Sequence, residues 1–377
     1  MAKVECELMT QDAIDVEIGS GLGAVLQVKS VEITENGTAV VKPDDGFDGL
    51  QVVEINTNTP ENITGAIGVP DGISIAQIFG GAYMPHSIED NTKGWTLVKP
   101  ILGTFQDVKL GCKTIKLASV DYNTPAVVNA TGAVSFDELE TCHSRCLLNG
   151  GSGDTLVLHK LKAFQAENAY VAAISGCNYK RIIFPVLKYY GDGNHYYGNS
   201  TGIVLNSPGV EYIECDVLPQ TSGSSNVNLF YNNASLKEIN LPGFTNHNIS
   251  IMRNCPELTT LRLGKITRWS IPNRGDWDAK YDEFKQEKKL ILIEFGQGSA
   301  SSINLANWSP ILDSSNLQQF LQNFKTYIAE RLTDKGTGLT LTLSQEVRNA
   351  IHAAEDEYGI ENIIITQKGW TISPAPN

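Results

Sequence analysis

Positive charge is scarce in this chain: 29 Lys and Arg face 42 Asp and Glu, giving a formal net charge of −13. Nucleic acid is bound by clustered Lys and Arg that displace counterions, and no basic run exists here, so that partner is excluded. Long apolar runs are missing too. No segment approaches the roughly 18 uncharged residues that span a bilayer, so no membrane insertion is expected. An export leader needs an unbroken apolar stretch, but the amino-terminal region carries Glu5, Glu7, Asp12, Asp15 and Glu17. Synthesis in a reducing cytoplasm without a cleaved leader is the expectation.

Paired cysteines are absent as well. The seven thiols, at 6, 112, 142, 146, 177, 215 and 255, are odd in number and scattered, which excludes a disulfide framework. Cys142 and Cys146 flank His143 but have no second pair at zinc-ligand spacing, so they read as ordinary thiols and no metal is expected. Asp44, Asp45 and Asp48 lack the ligand spacing of a calcium loop and read as an acidic turn. There is no phosphate-binding glycine loop and no His-Glu-x-x-His. The nucleophile-elbow spelling occurs once, as Gly198-Asn-Ser200-Thr-Gly202, but Ile203-Val-Leu205 follows it without helical periodicity. Gly19-Ser-Gly-Leu-Gly23 precedes no helix. No catalytic residue and no cofactor are assigned, and the chain reads as a non-enzyme.

What is present is a recurring phrase: an apolar residue, two variable ones, then two apolar residues around a polar one. It is clearest in Leu236-Lys-Glu-Ile239-Asn-Leu241 and Leu258-Thr-Thr-Leu261-Arg-Leu263. Worn copies are Tyr179-Lys-Arg-Ile182-Ile-Phe184, Val210-Glu-Tyr-Ile213-Glu-Cys215 and Leu290-Ile-Leu-Ile293-Glu-Phe295, with Leu156-Val-Leu158 as a first copy. The steps between Leu156, Ile182, Ile213, Ile239, Leu261 and Ile293 are 26, 31, 26, 22 and 32 residues. A unit of that size gives one short strand and a return segment, and it cannot bury its own apolar face. Stacked copies can, which predicts a leucine-rich-repeat solenoid with those six residues in its interior. The return segments are rich in Asn, Ser, Pro and Gly and are expected to be turns and coil.

With 377 residues, more than one core is expected. Residues 1–60 read as a small antiparallel β module, with Asn36-Gly37 as a tight turn between alternating segments. Residues 61–150 read as a linker and mixed β region, with a helix starting at Ser135-Phe-Asp-Glu138. The solenoid occupies 151–309. Residues 310–377 read as an α/β cap. Its first helix carries Leu317, Phe320, Leu321, Phe324, Ile328 and Leu332 on one face, followed by a strand at Thr340-Leu-Thr-Leu343. Ser344 caps a second helix, and 363–372 closes as a hairpin. The charge is uneven: residues 1–110 hold 16 acids and 6 bases, whereas residues 111–309 hold 18 of each.

For contact chemistry, one segment stands out. Tyr189, Tyr190, His195, Tyr196 and Tyr197 sit among glycines just after a repeat strand, and tyrosine suits recognition of sugars or proteins. Trp269 and Trp277 form a second candidate, with Arg268 and Tyr281 beside them.

The segment Val31-Glu-Ile-Thr-Glu-Asn-Gly-Thr-Ala-Val-Val-Lys-Pro-Asp-Asp-Gly-Phe-Asp-Gly-Leu-Gln-Val-Val-Glu-Ile55 resembles the short β module of bacteriophage and prophage tail and baseplate proteins. The repeats and the block from Ser314 to Ile372 resemble the BspA-like leucine-rich-repeat surface proteins of Bacteroides-type bacteria and their phages. Together the resemblances imply a mainly β protein with an α/β end, and a virion component: a fibre, tail-associated or capsid-decorating protein. Its amino-terminal region would bind other virion proteins, and its solenoid a host cell-surface glycan or protein. Such appendages are commonly homotrimers, which makes a homo-oligomer the expectation by analogy. The runner-up is a bacterial cell-surface or secreted BspA-like adhesin; a tail-spike glycan depolymerase ranks last.

Overall fold

A computed structural model describes residues 107–117, 125–144, 146–165, 172–187, 189–190, 202–216, 220–221, 228–247, 250–269 and 284–377, together with the strands between residues 14 and 97. The chain divides into two units, Met1–Leu139 and Glu140–Asn377. It is mainly β, with several parallel sheets and a helical carboxy-terminal segment.

In the first unit, Ile14–Glu17, Val25–Ile33, Thr38–Pro43, Val53–Asn56 and Ile63–Thr64 pair antiparallel in chain order. Val41 lies opposite Val31 on one side and Val53 on the other. The Asn36-Gly37 turn and the acidic turn near Gly46 lie outside the described residues. Further along, pairing becomes parallel: Val108–Lys109 joins Ile88–Glu89 and Val134–Ser135, and Thr96–Leu97 joins Thr114–Lys116. The helix expected from Ser135 does not form. Val134–Ser135 is a strand, and the Leu110 amide donates to the Ser135 carbonyl at 3.1 Å. A local cap signal is worth about 1 kcal/mol, and tertiary strand pairing outweighs it.

In the second unit the chain passes repeatedly through the same path and leaves strands in parallel ladders. The long ladder stacks Ser152–Val157, Asn178–Phe184, Tyr212–Cys215, Glu238–Leu241, Thr260–Leu263 and Leu292–Glu294. Leu156, Ile182, Ile213, Ile239, Leu261 and Ile293 are direct partners along it, and every one is buried. Fully burying one such side chain is worth about 1.5–3 kcal/mol, so this column is a principal source of stability. A second ladder stacks Leu148–Gly150, Ala172–Ser175, Gly202–Leu205, Asn228–Tyr231 and Ser250–Arg253. There Leu148, Ile174, Val204, Phe230 and Met252 form another buried column. A third, shorter ladder joins Thr141–His143, Ala163–Gln165, Tyr189–Tyr190 and Gln220–Thr221. The return segments therefore hold strands, where composition predicts only turns and coil. The Ile203-Val-Leu205 run that follows the elbow spelling is one of them.

Between the second and long ladders, the backbone turns a corner in the left-handed region. Gly176, Asn206, Asn232 and Asn254 occupy it at φ 64°, 50°, 57° and 54°. Asn tolerates that conformation better than other residues with a Cβ, and here its amide also links rungs. Asn232 Nδ2 donates to Asn206 Oδ1 at 3.0 Å, and Asn254 Nδ2 donates to Asn232 Oδ1. The next position inward carries Cys177, Ser207, Asn233, Cys255 and Glu287, all buried. Their groups satisfy one another's backbone amides: Cys177 N to Ser207 Oγ at 3.3 Å, Ser207 N to Asn233 Oδ1 at 3.0 Å, and Cys255 N to Glu287 Oε1 at 3.3 Å. Past the long ladder, Gly264 lies so close to the preceding turn that a Cβ would meet the Pro242 carbonyl oxygen at 2.2 Å.

The carboxy-terminal segment covers the last rung. Helix α1, Leu317–Tyr327, lays Phe320 and Phe324 against Trp308, whose indole donates to the Leu290 carbonyl at 2.8 Å. The helix starts two to three residues after the predicted Ser314-Ser315. Ser344 caps α2, Gln345–Ala353, by accepting from the Val347 amide at 3.3 Å. Residues 363–372 do not form a hairpin. Asn362–Gln367 is a wide helical turn, and Thr371–Ser373 pairs parallel with Thr340–Leu343, which also pairs with Ile303–Leu305. The apolar Ile363-Ile364 pair is buried as a helix face, an ambiguity that short apolar runs always carry.

Candidate functional site

The outer face of the long ladder gathers polar side chains from residues scattered along the sequence. Strand alternation puts Ile213 and Cys215 inward and Tyr212 and Glu214 outward, and the same holds on each rung. In-register pairing then builds two outward rows. One runs Arg181, Tyr212, Glu238, Thr260, Leu292, and the other Ile183, Glu214, Asn240, Arg262, Glu294.

These groups bind each other. The Arg181 guanidinium lies 3.9 Å from the centre of the Tyr212 ring. The Tyr212 hydroxyl donates to Glu214, and Asn240 Nδ2 donates to Glu214 at 3.0 Å and to the Tyr212 oxygen at 3.4 Å. Arg262 bridges two rungs, donating from Nε to Glu238 at 2.9 Å and from Nη1 to Glu294. Arg331 reaches the same Glu294 at 3.7 Å. The face is open to solvent to differing degrees: Arg181 is exposed, Arg262 keeps 36% of its side-chain surface and Glu294 20%.

The titration of the cluster follows from these contacts. Partial burial pushes the Glu214 carboxyl up. Hydrogen bonds from Tyr212, Asn240 and Asp216, with the Arg181 charge, outweigh that and hold it below its ordinary value. Asp216, next out along the chain, is raised by burial and then by its bond to Glu214. Tyr212 is raised by burial and by the same carboxylate. Burial would lower Arg262, but its two glutamates more than compensate. The arrangement is a fixed set of donors and acceptors with both charge signs interleaved.

The residues singled out from sequence sit elsewhere. Tyr189–Tyr190 is a strand of the third ladder, with Tyr189 between Ala163 and Gln220, and not part of a free loop. His195, Tyr196, Tyr197 and Trp277 lie outside the described residues. Trp269 pairs with His247 along the backbone, is half-buried, and meets Phe295 edge-on at 6.2 Å, so its ring packs within the fold. Sequence reasoning passed over the outer rows because they occupy the phrase's variable positions. The signal was the polar residue between each pair of apolar ones, at 214, 240, 262 and 294.

The six described cysteines are unbridged and buried. Burial pushes Cys142 up to about 12, against a smaller lowering by the Ser144 hydroxyl. Among the described residues no three His, Cys, Asp or Glu side chains gather as a metal site, and no helix is long and apolar enough to cross a membrane.

No protein-family model matches the chain, and no curated protein matches it. One solved structure, the pneumococcal vaccine antigen PcpA, aligns over 86% of this chain and 96% of its own at 12% identity, with a TM-score of 0.16. A likeness that low carries no argument.

Proposed function

We propose that residues 151–309 form a leucine-rich-repeat solenoid acting as a rigid, non-enzymatic display scaffold. The whole chain is then a structural protein of a phage virion: a fibre, a tail-associated protein or a capsid decoration. The observation that carries this reading is the single buried column from Leu156 to Ile293, in register across six parallel strands. Such a stack cannot flex about its long axis without breaking ladder hydrogen bonds, so its outward side chains keep fixed spacings. The antiparallel strands from Val25 to Asn56 coincide with the segment that resembles phage tail modules, and they supply the attachment end of this reading. The solenoid meets the host surface, and the acidic amino-terminal region meets other virion proteins.

Mass spectrometry of purified virions, with gold-labelled antibody against the chain, tests it. The chain is expected in intact particles at a defined position. Its absence from particles together with labelling of intact bacterial cells would favour a surface adhesin, and glycan cleavage by the purified chain would reassign it as a depolymerase.

A further inference from the structure

We infer that the outer face of the long ladder binds an uncharged oligosaccharide, laid along the strand stack over Tyr212, Asn240 and Arg262. This names the ligand class for the display reading above and rests on that reading for its biological setting. The face is self-neutralised: Arg262 is held at 2.9 Å by Glu238 and also by Glu294, and Arg181 caps the Tyr212 ring at 3.9 Å. A polyanion or polycation would have to break these pairs, and interleaved signs give no field of one sign to steer it. A neutral ligand breaks none of them.

The pairing also leaves hydrogen-bonding capacity. Asn240 spends its amide nitrogen on Tyr212 and Glu214, leaving its carbonyl oxygen for a hydroxyl donor. Arg262 has engaged Nε and Nη1, leaving further N–H donors on its guanidinium. These groups are locked on strands before any ligand arrives, which lowers the ordering cost of binding. They also repeat at the strand spacing of about 4.8 Å, a fixed interval that suits a ligand built of repeating units. Half-buried Ile183 and Leu292 on the same face offer apolar contact for ring faces. A protein partner is less well matched. Protein interfaces centre on aromatic or aliphatic anchors in dry pockets, whereas Arg181 already occupies the one aromatic ring here.

The test is a printed array of neutral glucans, mannans and galactans beside heparin and polysialic acid, probed with the full chain. Binding to at least one neutral oligosaccharide is expected, little changed between low and high salt. Asn240→Ala and Arg262→Met are each expected to weaken it about tenfold, since each removes hydrogen bonds to the ligand. Thr260→Trp, which blocks the face without touching the network, is expected to abolish it. Circular dichroism melts establish that each variant is folded, and because Thr260→Trp removes only the long 3.5 Å hydroxyl contact with Thr259, outside the ionic network, the set remains decisive if Arg262→Met unfolds. The inference is overturned by binding confined to heparin or polysialic acid. It is equally overturned by neutral binding that survives all three folded variants, or by host capture through a protein with no array signal. Virion localisation is read separately: an array signal from a chain absent from particles leaves this site standing and removes the virion reading.

Discussion

At Asn232 the backbone has φ 57°, and the side chain both donates to Asn206 and accepts from Asn254. Two substitutions separate these roles. Asn232→Gly keeps the corner and loses the inter-rung bonds, at an expected cost of about 1 kcal/mol. Asn232→Val loses the bonds and forces a β-branched residue into the left-handed region, at an expected cost of about 2–3 kcal/mol. Urea denaturation of the two variants measures the difference. The buried thiols make a second residue-scale prediction. Burial raises Cys142 and Cys255 from 9.0 to about 12 in the folded chain. A group raised on folding stabilises the neutral form, so this contribution is complete below pH 9.0 and is lost as pH climbs towards 12. Melting temperature should fall across that window. Neither thiol should react with an alkylating reagent at pH 8 until the chain unfolds, a point that mass spectrometry of the labelled peptides decides.

Helix α1 is the element whose loss has the plainest consequence. It covers the rung at Leu292–Glu294, and Phe324 stacks parallel to Trp308 at 6.1 Å with its side chain buried. Phe324→Ala removes that stack and leaves a void beside the last rung, with an expected cost of about 3–5 kcal/mol. Chemical denaturation measures it. Binding of a hydrophobic dye at mild denaturant should rise in step, because uncovering the helix exposes the apolar end of the ladder. The amphipathic spacing of Leu317, Phe320, Leu321 and Phe324 made this helix legible from sequence. The wide helical turn at Asn362–Gln367 was not legible, because the three apolar residues in a row, Ile363, Ile364 and Ile365, suit a strand or a helix face equally.

Across the whole second unit, stability should behave as a line of neighbours. Leu156 and Ile293 lie five rungs apart, roughly 24 Å at the usual strand spacing, and share no contact. Truncations of both to alanine should therefore add within about 0.5 kcal/mol. Ile213 and Ile239 are direct partners in the column, and their double truncation should depart from additivity by more than that. Double-mutant cycles in urea test this. Additivity for the adjacent pair equal to that of the distant pair would contradict a continuous interior.

The chain's periodicity by itself determined which residues form the buried column, because an apolar side chain recurring on one face of successive strands has nowhere to go but inward. Sequence likewise determined the acidic balance, which is composition alone, and the amphipathic α1 and the Ser344 cap, which depend on neighbours a few residues away. Tertiary structure alone decided that Arg181, Tyr212, Glu214, Asn240, Arg262 and Glu294 would become one hydrogen-bonded face. Their repeats differ in length by up to ten residues, between 22 and 32, and loops absorb the difference. Only strand-to-strand hydrogen bonding sets which polar residue stands beside which, and that pairing involves backbone groups 22 to 32 residues apart. The Asn206–Asn232–Asn254 corner has a trace in the sequence that the apolar phrase does not include, an Asn seven residues ahead of Ile213, Ile239 and Leu261. Its meaning, a left-handed turn shared by successive rungs, came from the fold.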